Sequence, residues 1–108
     1  MATPEGAIKR KLAKMLKDEG VWSFPPQAGP YGSAGIPDRI AIVEGEFVGV
    51  ECKADSTKQP TKLQLLCRDQ IVAAGGKWFL VYDNLTLGLL RTYIASRRIK
   101  QGADTETG

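Results

Sequence analysis

Apolar residues recur at helical spacing near the start of the chain. One predicted helix face collects Ile8, Leu12, Met15 and Leu16. Thr3 can cap such a helix, and Pro4 suits its first position, where a missing N–H costs nothing. The pattern therefore predicts a first helix that begins after Thr3 and packs this face against a core.

Three apolar segments farther along the chain are short enough to be strands. Residues 21–24 predict a short edge strand. Residues 39–43 and 47–53 flank a turn at Glu44-Gly45-Glu46, which predicts an antiparallel hairpin. After the edge strand, the segment that leads to Pro37 is dense in proline and glycine, which forbids regular structure. A loop of this length in a small domain is typical of a functional or a disordered segment.

Residues 61–74 predict a second helix, capped by Thr61 and stopped by Gly75-Gly76. Its core-facing residues are predicted to be Leu63, Leu66, Cys67, Ile71 and Ala74. Residues 78–82 read as a buried strand, and a last helix, capped by Asp83 or Asn84, should end at about Ile99. The polar tail, residues 101–108, is predicted to be disordered.

Together these elements predict an α/β fold, in which helices flank a small mixed sheet within one domain spanning residues 1–100. Leu65 and Val72 lie opposite the core stripe of the second helix. They either pack under the last helix or belong to a subunit interface.

The chain has 108 residues and a net charge of +3, which favours an anionic partner only mildly. Basic residues concentrate in the first and last helices, at Lys9, Arg10, Lys11, Lys14, Lys17, Arg91, Arg97, Arg98 and Lys100. These clusters are either solvated helix faces or the footprint of a nucleic acid.

No apolar run has the length of a membrane span, and the first residues lack the layout of a secretory signal. We therefore expect a cytoplasmic protein without a membrane partner, in which Cys52 and Cys67 are reduced and buried. The chain contains no histidine, which excludes Ser-His and Cys-His nucleophile systems and nearly excludes a Cys/His zinc site. A bound metal would need oxygen ligands, which favours Mg²⁺ or Mn²⁺.

One group of residues suits phosphodiester hydrolysis. Glu51 and Lys53 share a strand face by alternation, and a tight hairpin turn would bring Asp38 opposite them. Two carboxylates can bind a divalent cation that acidifies water and offsets transition-state charge, and a lysine can orient that water. The alternative is structural: an Asp that caps a strand and a Glu-Lys surface pair. Glu5 has two interpretations as well, a first-turn dipole residue or an inward-facing part of the site.

Gly35-Ile36-Pro37-Asp38-Arg39, followed by Val50-Glu51-Cys52-Lys53-Ala54, resembles the PD-(D/E)xK nuclease superfamily. More narrowly, the chain resembles the VRR-NUC family of virus-type replication-repair nucleases, found as small stand-alone phage proteins. The resemblance extends from Glu5 to about Tyr82 and includes Gln59-Pro60-Thr61-Lys62-Leu63-Gln64. It implies a restriction-endonuclease-like α/β/α sandwich.

The resemblance also implies roles for individual residues. Asp38 and Glu51 would bind Mg²⁺ or Mn²⁺ together with the backbone carbonyl of Cys52, and Glu5 would contact the metal directly or through water. Lys53 would serve the attacking water, and Gln64 would help to organise the site. The residues expected to contact DNA are Lys9, Lys14, Tyr31, Ser33 and Arg39. In one departure from the family pattern, the loop before Gly35 offers Gln27 and Tyr31 where relatives often carry a lysine.

The expected function is that of a metal-dependent DNA endonuclease that cuts branched DNA such as Holliday junctions. A homodimer with two-fold symmetry would place two sites on such a junction. If the protein is phage-encoded, it would act in the cytoplasm of a bacterial host. The alternatives are a nickase or endonuclease on flap or duplex DNA, and a non-catalytic DNA-binding accessory domain whose carboxylates are structural. Binding without cleavage in the presence of Mg²⁺ would favour the accessory domain.

Overall fold

In a computed structural model of the chain, residues 3–27 and 34–107 are described, with side chains described up to residue 100. The described residues form three helices and four strands in the order α1 (Pro4–Asp18), β1 (Trp22–Phe24), β2 (Arg39–Val43), β3 (Glu46–Cys52), α2 (Lys62–Ala73), β4 (Lys77–Val81) and α3 (Asn84–Thr107). Thr3 caps α1 as predicted, since its side chain accepts a hydrogen bond from the backbone N–H of Gly6 at 3.0 Å.

The four strands form one mixed sheet in the order β1-β2-β3-β4. β1, β2 and β3 are antiparallel, whereas β3 and β4 are parallel and are connected through α2. The predicted hairpin is tight: Glu44 and Gly45 connect β2 to β3, with φ of 48° and 81°. Two successive positive φ values are typical of a type I′ turn, whose twist matches that of the strands. The predicted α/β fold with a mixed sheet is confirmed.

One face of the sheet carries the core. Val48, Val50 and Cys52 alternate along β3 toward this face and are fully buried, as their spacing predicts. α1 contributes Leu12 and Leu16 to the same cluster, and α3 contributes Leu90 and Ile94. Each such side chain stabilises the fold by about 1.5–3 kcal/mol relative to an exposed one. The two helices therefore hold β3 in place.

α2 packs on the opposite face through a narrow contact. Gly49 and Gly76 lack side chains there, and an added Cβ at either position would meet Ile71 of α2. The predicted buried stripe of this helix is wrong, because no residue of α2 is buried: Leu63 and Leu66 are 52% and 54% exposed, and Ala74 is exposed too. The two glycines determine where α2 contacts the sheet, and the first turns of α2 extend beyond that contact.

Cys67 is half-buried rather than buried, and Cys52 is fully buried; both are free thiols. Val72 is exposed and Leu65 is half-buried.

α3 extends farther than its sequence pattern predicts. It continues to Thr107 instead of ending near Ile99, so the backbone of the tail predicted to be disordered is helical up to that residue. No proline follows Ile99 to stop the helix, and Gly102 alone does not end it. No helix in the part of the chain described is long and apolar enough to cross a membrane.

Candidate active site

The register of the hairpin brings the acidic residues together. Arg39 pairs with Val50, so Asp38, one residue earlier, lies opposite Glu51, one residue later. Lys53 directly follows β3, and its backbone N–H donates to the carbonyl of Val81 at 3.0 Å. Alternation along β3 places Lys53 on the same side as Glu51. Three groups of the predicted site therefore meet at one end of the two central strands.

Close backbone packing fixes Asp38. Its Oδ2 accepts a hydrogen bond from the backbone N–H of Cys52 at 2.8 Å. Gly35 has φ of 90° and lies against the backbone of Leu63, where an added Cβ would collide with the carbonyl group. Pro37 covers Gly49, where a Cβ would be only 2.8 Å from the proline Cγ. The Gly-Ile-Pro-Asp segment thus has a steric reason for its glycine and for its proline.

Glu51 is the buried charged residue of this region, with 2% of its surface exposed. Its Oε1 accepts a hydrogen bond from Nε2 of Gln64 at 3.1 Å, whereas the buried Oε2 has no hydrogen-bond partner among the described residues. Burial, reinforced by the neighbouring carboxylate of Asp38, raises the pKa of Glu51 to about 9, although the charge of Lys53 opposes the shift. An ionised Glu51 here lacks a cationic partner strong enough to offset its burial.

The capping box of α2 orients Gln64. The backbone N–H of Thr61 donates to Oε1 of Gln64 at 2.8 Å, and the backbone N–H of Gln64 donates to Oγ1 of Thr61 at 3.2 Å. Since Oε1 is engaged, the Nε2 end of the amide points at Glu51. The sequence predicted Thr61 as a cap and Gln64 as a site residue, but it missed that the two roles are coupled. The Thr-x-x-Gln spacing was the signal that carries this information.

Lys9 connects Glu5 to the site. Its Nζ lies 3.3 Å from Oε2 of Glu5 and 3.3 Å from Oδ1 of Asp38. Burial alone would lower the pKa of Lys9, but the carboxylates of Asp38 and Glu5 outweigh it and raise the pKa. Glu5 is partly exposed and reaches Asp38 through this ammonium group, so its predicted contact with metal stays a prediction. The position of Lys9 marks a place where a cation is favourable.

The donor set fits a hard divalent cation. Asp38 and Glu51 present adjacent carboxylates, and one oxygen of Glu51 is buried without a partner among the residues described. Cys52 can contribute only its carbonyl oxygen, because its side chain lies in the core on the other face and burial raises the pKa of its thiol to about 12. Among the side chains described, those of residues 3–27 and 34–100, no three from His, Cys, Asp or Glu are grouped to hold a metal. Carbonyl and water oxygens would complete the coordination, as is usual for Mg²⁺.

The described residues predicted to contact DNA fall into two places. Lys9 lies at the site itself, whereas Lys14 of α1 and Arg39 of β2 lie beside β1. Tyr31 and Ser33 lie outside the described residues.

The basic cluster at the end of the chain has a partly structural role. Arg98 lies 3.5 Å from a carboxylate oxygen of Glu44, and Arg97 lies 3.9 Å from one of Glu46. Arg98 also pairs with Glu19 at the end of α1. These contacts attach α3 to the hairpin turn and to α1, so they engage two of the cationic side chains counted in the predicted DNA footprint.

Comparison with solved structures identifies the fold. A structure described as "VRR_NUC domain" superimposes with a TM-score of 0.74, covers 84% of this chain and 97% of its own, and is 23% identical in sequence. No protein-family model matches the sequence. No curated protein matches it either. The chain thus has the fold of a VRR-NUC domain, which confirms, at the level of the fold, the resemblance carried by Gly35–Asp38 and Glu51–Lys53.

Proposed function

We propose that this protein is a metal-dependent endonuclease that hydrolyses phosphodiester bonds in DNA. The observation that carries the proposal is Glu51, a carboxylate buried beside Asp38 at the end of the sheet where Lys53 also lies; one of its oxygens has no partner in the described part of the chain. Burying an unpaired carboxylate costs free energy, and such groups are concentrated at functional sites. The VRR-NUC fold agrees with this chemistry.

Each residue has a defined task in the proposed reaction. Asp38 and Glu51 would hold Mg²⁺ or Mn²⁺, with the carbonyl of Cys52 as a further ligand, and the bound ion would supply positive charge that acidifies water and offsets charge on the phosphate. Lys53 orients the attacking water and stabilises the developing negative charge. Gln64 fixes the position of Glu51 through its 3.1 Å hydrogen bond. Lys9 forms ion pairs with both Glu5 and Asp38, so Lys9 and Glu5 set the charge beside Asp38.

The finer assignment concerns substrate and assembly. We infer that the protein prefers branched DNA and cuts it as a homodimer in the cytoplasm. Each subunit would have a single catalytic domain that covers residues 1–100. Exposed apolar residues on α2, among them Leu66 and Val72, support a contact between subunits. Native mass determination tests the dimer independently of activity.

The decisive experiment compares cleavage of four-way junctions, flaps and linear duplex, with Mg²⁺ or Mn²⁺ and with excess chelator. We expect metal-dependent cleavage that is fastest on branched substrates. Cleavage that persists in chelator would overturn the metal mechanism. Tight DNA binding without cleavage in either metal would instead identify a non-catalytic DNA-binding module.

Metal binding should be visible without DNA. We expect millimolar Mg²⁺ or Mn²⁺ to raise the melting temperature of the wild-type protein by several degrees, because a ligand that binds the native state stabilises it. Asp38→Asn should remove this shift, whereas Asp18→Asn, a matched change at the exposed end of α1, should keep it. Equal shifts in wild-type protein and Asp38→Asn would exclude Asp38 as a ligand.

Thr61 should affect activity through Gln64. Thr61→Ala removes the Oγ1 acceptor, which should lower the free energy of unfolding by about 1 kcal/mol and loosen the amide that faces Glu51. We expect a lower kcat with little change in KM, and recovery in Thr61→Ser, which keeps the hydroxyl group. Loss of stability with unchanged kcat would reduce Thr61 to a helix cap.

A further inference from the structure

The described part of the chain leaves one apolar surface of the sheet uncovered, on the face where α2 lies. Strand register and alternation direct Trp22 of β1, Ile42 of β2 and Phe47 of β3 to this face, and Phe24 lies there too. Trp22 is 64% exposed, and Phe24, Ile42 and Phe47 are 40%, 39% and 40% exposed. The rings of Trp22 and Phe24 pack against each other at 5.4 Å. Half of the sheet is thus apolar and open beside α2.

A groove runs along α2 next to these strands. One cavity, of about 420 Å³, is bounded by Cys67 and Gln70 of α2 and by Phe47 of β3. An adjoining cavity of about 320 Å³ is bounded by the same two residues of α2 together with Leu63 and Leu66. Because Cys67 and Gln70 line both cavities, the two form one continuous groove. Its walls join the exposed flank of α2 to the open half of the sheet.

The opposite flank of α2 faces β4. Arg68 lies over the ring of Trp78 in β4, 5.9 Å from its centre. Val72 follows Arg68 by four residues, so the two share one side of the helix. Val72 is almost as exposed as Leu66, but only Leu66 lines the groove. We therefore define the apolar face by six residues: Trp22, Phe24, Ile42, Phe47, Leu63 and Leu66.

The extent of the apolar face matches what a stable dimer needs. Its six side chains expose about 600 Å² in total, at about 200 Å² for each complete side chain. Each partner of a stable complex buries about 800 Å², and about 65% of a homodimer interface is apolar, which requires about 500 Å² of apolar surface. The apolar face meets this requirement by itself.

A second copy of the chain is the occupant that this surface fits. The six residues carry no charge with which to meet phosphate groups, so the face does not suit DNA. It is self-complementary, because Trp22 projects from it and the groove beside Phe47 is recessed, and a two-fold axis pairs such features reciprocally. The free edge of β1 is a poorer contact, since Pro25 and Pro26 directly follow it and cannot donate to a further strand.

We propose that two copies of this chain associate through the apolar face, with the Trp22 ring of each subunit in the groove between α2 and Phe47 of the other. The inference rests on the homodimer in the proposed function and deepens it. It assigns the interface to the sheet and to the Leu63–Leu66 flank of α2, and it leaves Val72 outside.

Two glutamate variants on opposite flanks of α2 test this interface. Sedimentation velocity of the full chain should show a wild-type dimer. Leu66→Glu puts an unpaired charge into the proposed interface and should weaken the dimer by about 100-fold or more. Val72→Glu makes a matched change at a similarly exposed position and should leave the dissociation constant within about twofold. A wild-type monomer at every concentration, or equal dissociation constants in the two variants, would overturn the proposal.

Tryptophan fluorescence tests the position of Trp22 without placing a charge in the interface. The chain has two tryptophans, so Trp78→Phe leaves Trp22 as the only one. We expect its emission to move to longer wavelength on dilution, and its quenching by iodide to increase severalfold, because dissociation returns the ring to water. In the double variant Trp78→Phe/Leu66→Glu, the emission should not change with concentration. A dimer that dissociates on dilution without any change in Trp22 emission would place the interface elsewhere and overturn the proposal.

These measurements separate the inference from the proposed activity, because none of them involves DNA or cleavage. A dimer that forms through the apolar face and never cleaves DNA would support the inference and refute the activity. Metal-dependent cleavage by a chain that is always monomeric would do the reverse.

Discussion

Glu51→Gln is expected to abolish metal-dependent DNA cleavage and to stabilise the metal-free protein above neutral pH. The rate should fall about 10³-fold or more, because the substitution removes one of the two carboxylates proposed to hold the metal and leaves a neutral amide in a buried position. The volume and the hydrogen bond to Gln64 can be kept, so the fold should be retained. Single-turnover cleavage with saturating Mg²⁺ measures the loss.

The gain in stability follows from the direction of the pKa shift. The folded pKa of Glu51, about 9, lies above its ordinary value of 4.5. Folding therefore favours the protonated form, and the free energy of unfolding of the wild-type protein should fall as pH rises from about 4.5 to about 9. Glutamine does not titrate, so this fall should largely disappear. One pKa unit corresponds to about 1.4 kcal/mol, and we expect the variant to be more stable by at least about 1 kcal/mol at pH 8.

Denaturant unfolding with chelator at pH 5 and pH 8 measures this difference. Glu46→Gln is the matched control, because Glu46 begins the same strand but faces the other side and pairs with Arg97. It should keep cleavage and should not remove the pH dependence. A Glu51→Gln protein that cleaves DNA at the wild-type rate would refute the assignment of Glu51 as a metal ligand. If the free energy of unfolding of Glu51→Gln falls with pH as steeply as that of the wild-type protein, the burial argument is refuted.

The active-site strands were predictable because two strict rules determine them. Alternation alone assigns Glu51 and Lys53 to one face of the strand and Val50 and Cys52 to the other, whatever the rest of the fold. The position of Asp38 required the register, which a two-residue turn fixes. The positive φ of Glu44 and Gly45 supplies this turn, and the sequence indicates it only through Gly45.

The environment of α2 was not predictable in the same way. A helical pattern predicts which residues share a face, but it does not say how much sheet lies beneath that face. Gly49 and Gly76, which are far apart in sequence, create the contact for Ile71, and Leu63 and Leu66 lie outside it. The orientation of Gln64 was encoded locally in the Thr61 capping box, but its target, Glu51, depends on the packing of α2 over the sheet. The same limit applies to Arg98, whose partners come from two distant turns.

Lys53→Ala is expected to reduce the rate of cleavage about 10²- to 10³-fold while leaving metal binding intact. The ammonium group of Lys53 is not a metal ligand. Its charge acts on the pKa of Glu51, so it lies within electrostatic reach of the proposed reacting groups. In the proposed mechanism, loss of the ammonium group removes a cation that stabilises charge only in the transition state. Mg²⁺ should therefore still raise the melting temperature, by as much as in the wild-type protein or more, because a competing positive charge has gone.

Two further variants distinguish catalysis from general charge. Lys58→Ala removes the same charge from the exposed loop that follows β3 and should keep cleavage within about twofold, since exposed charges interact weakly through water. Lys53→Arg keeps the charge but replaces a compact ammonium by a planar fork, and it should recover only part of the rate. Equal losses in Lys53→Ala and Lys58→Ala would assign Lys53 to DNA attraction. Loss of the Mg²⁺-induced stabilisation in Lys53→Ala would mean that the lysine organises the metal site, and the attacking water would then need another partner.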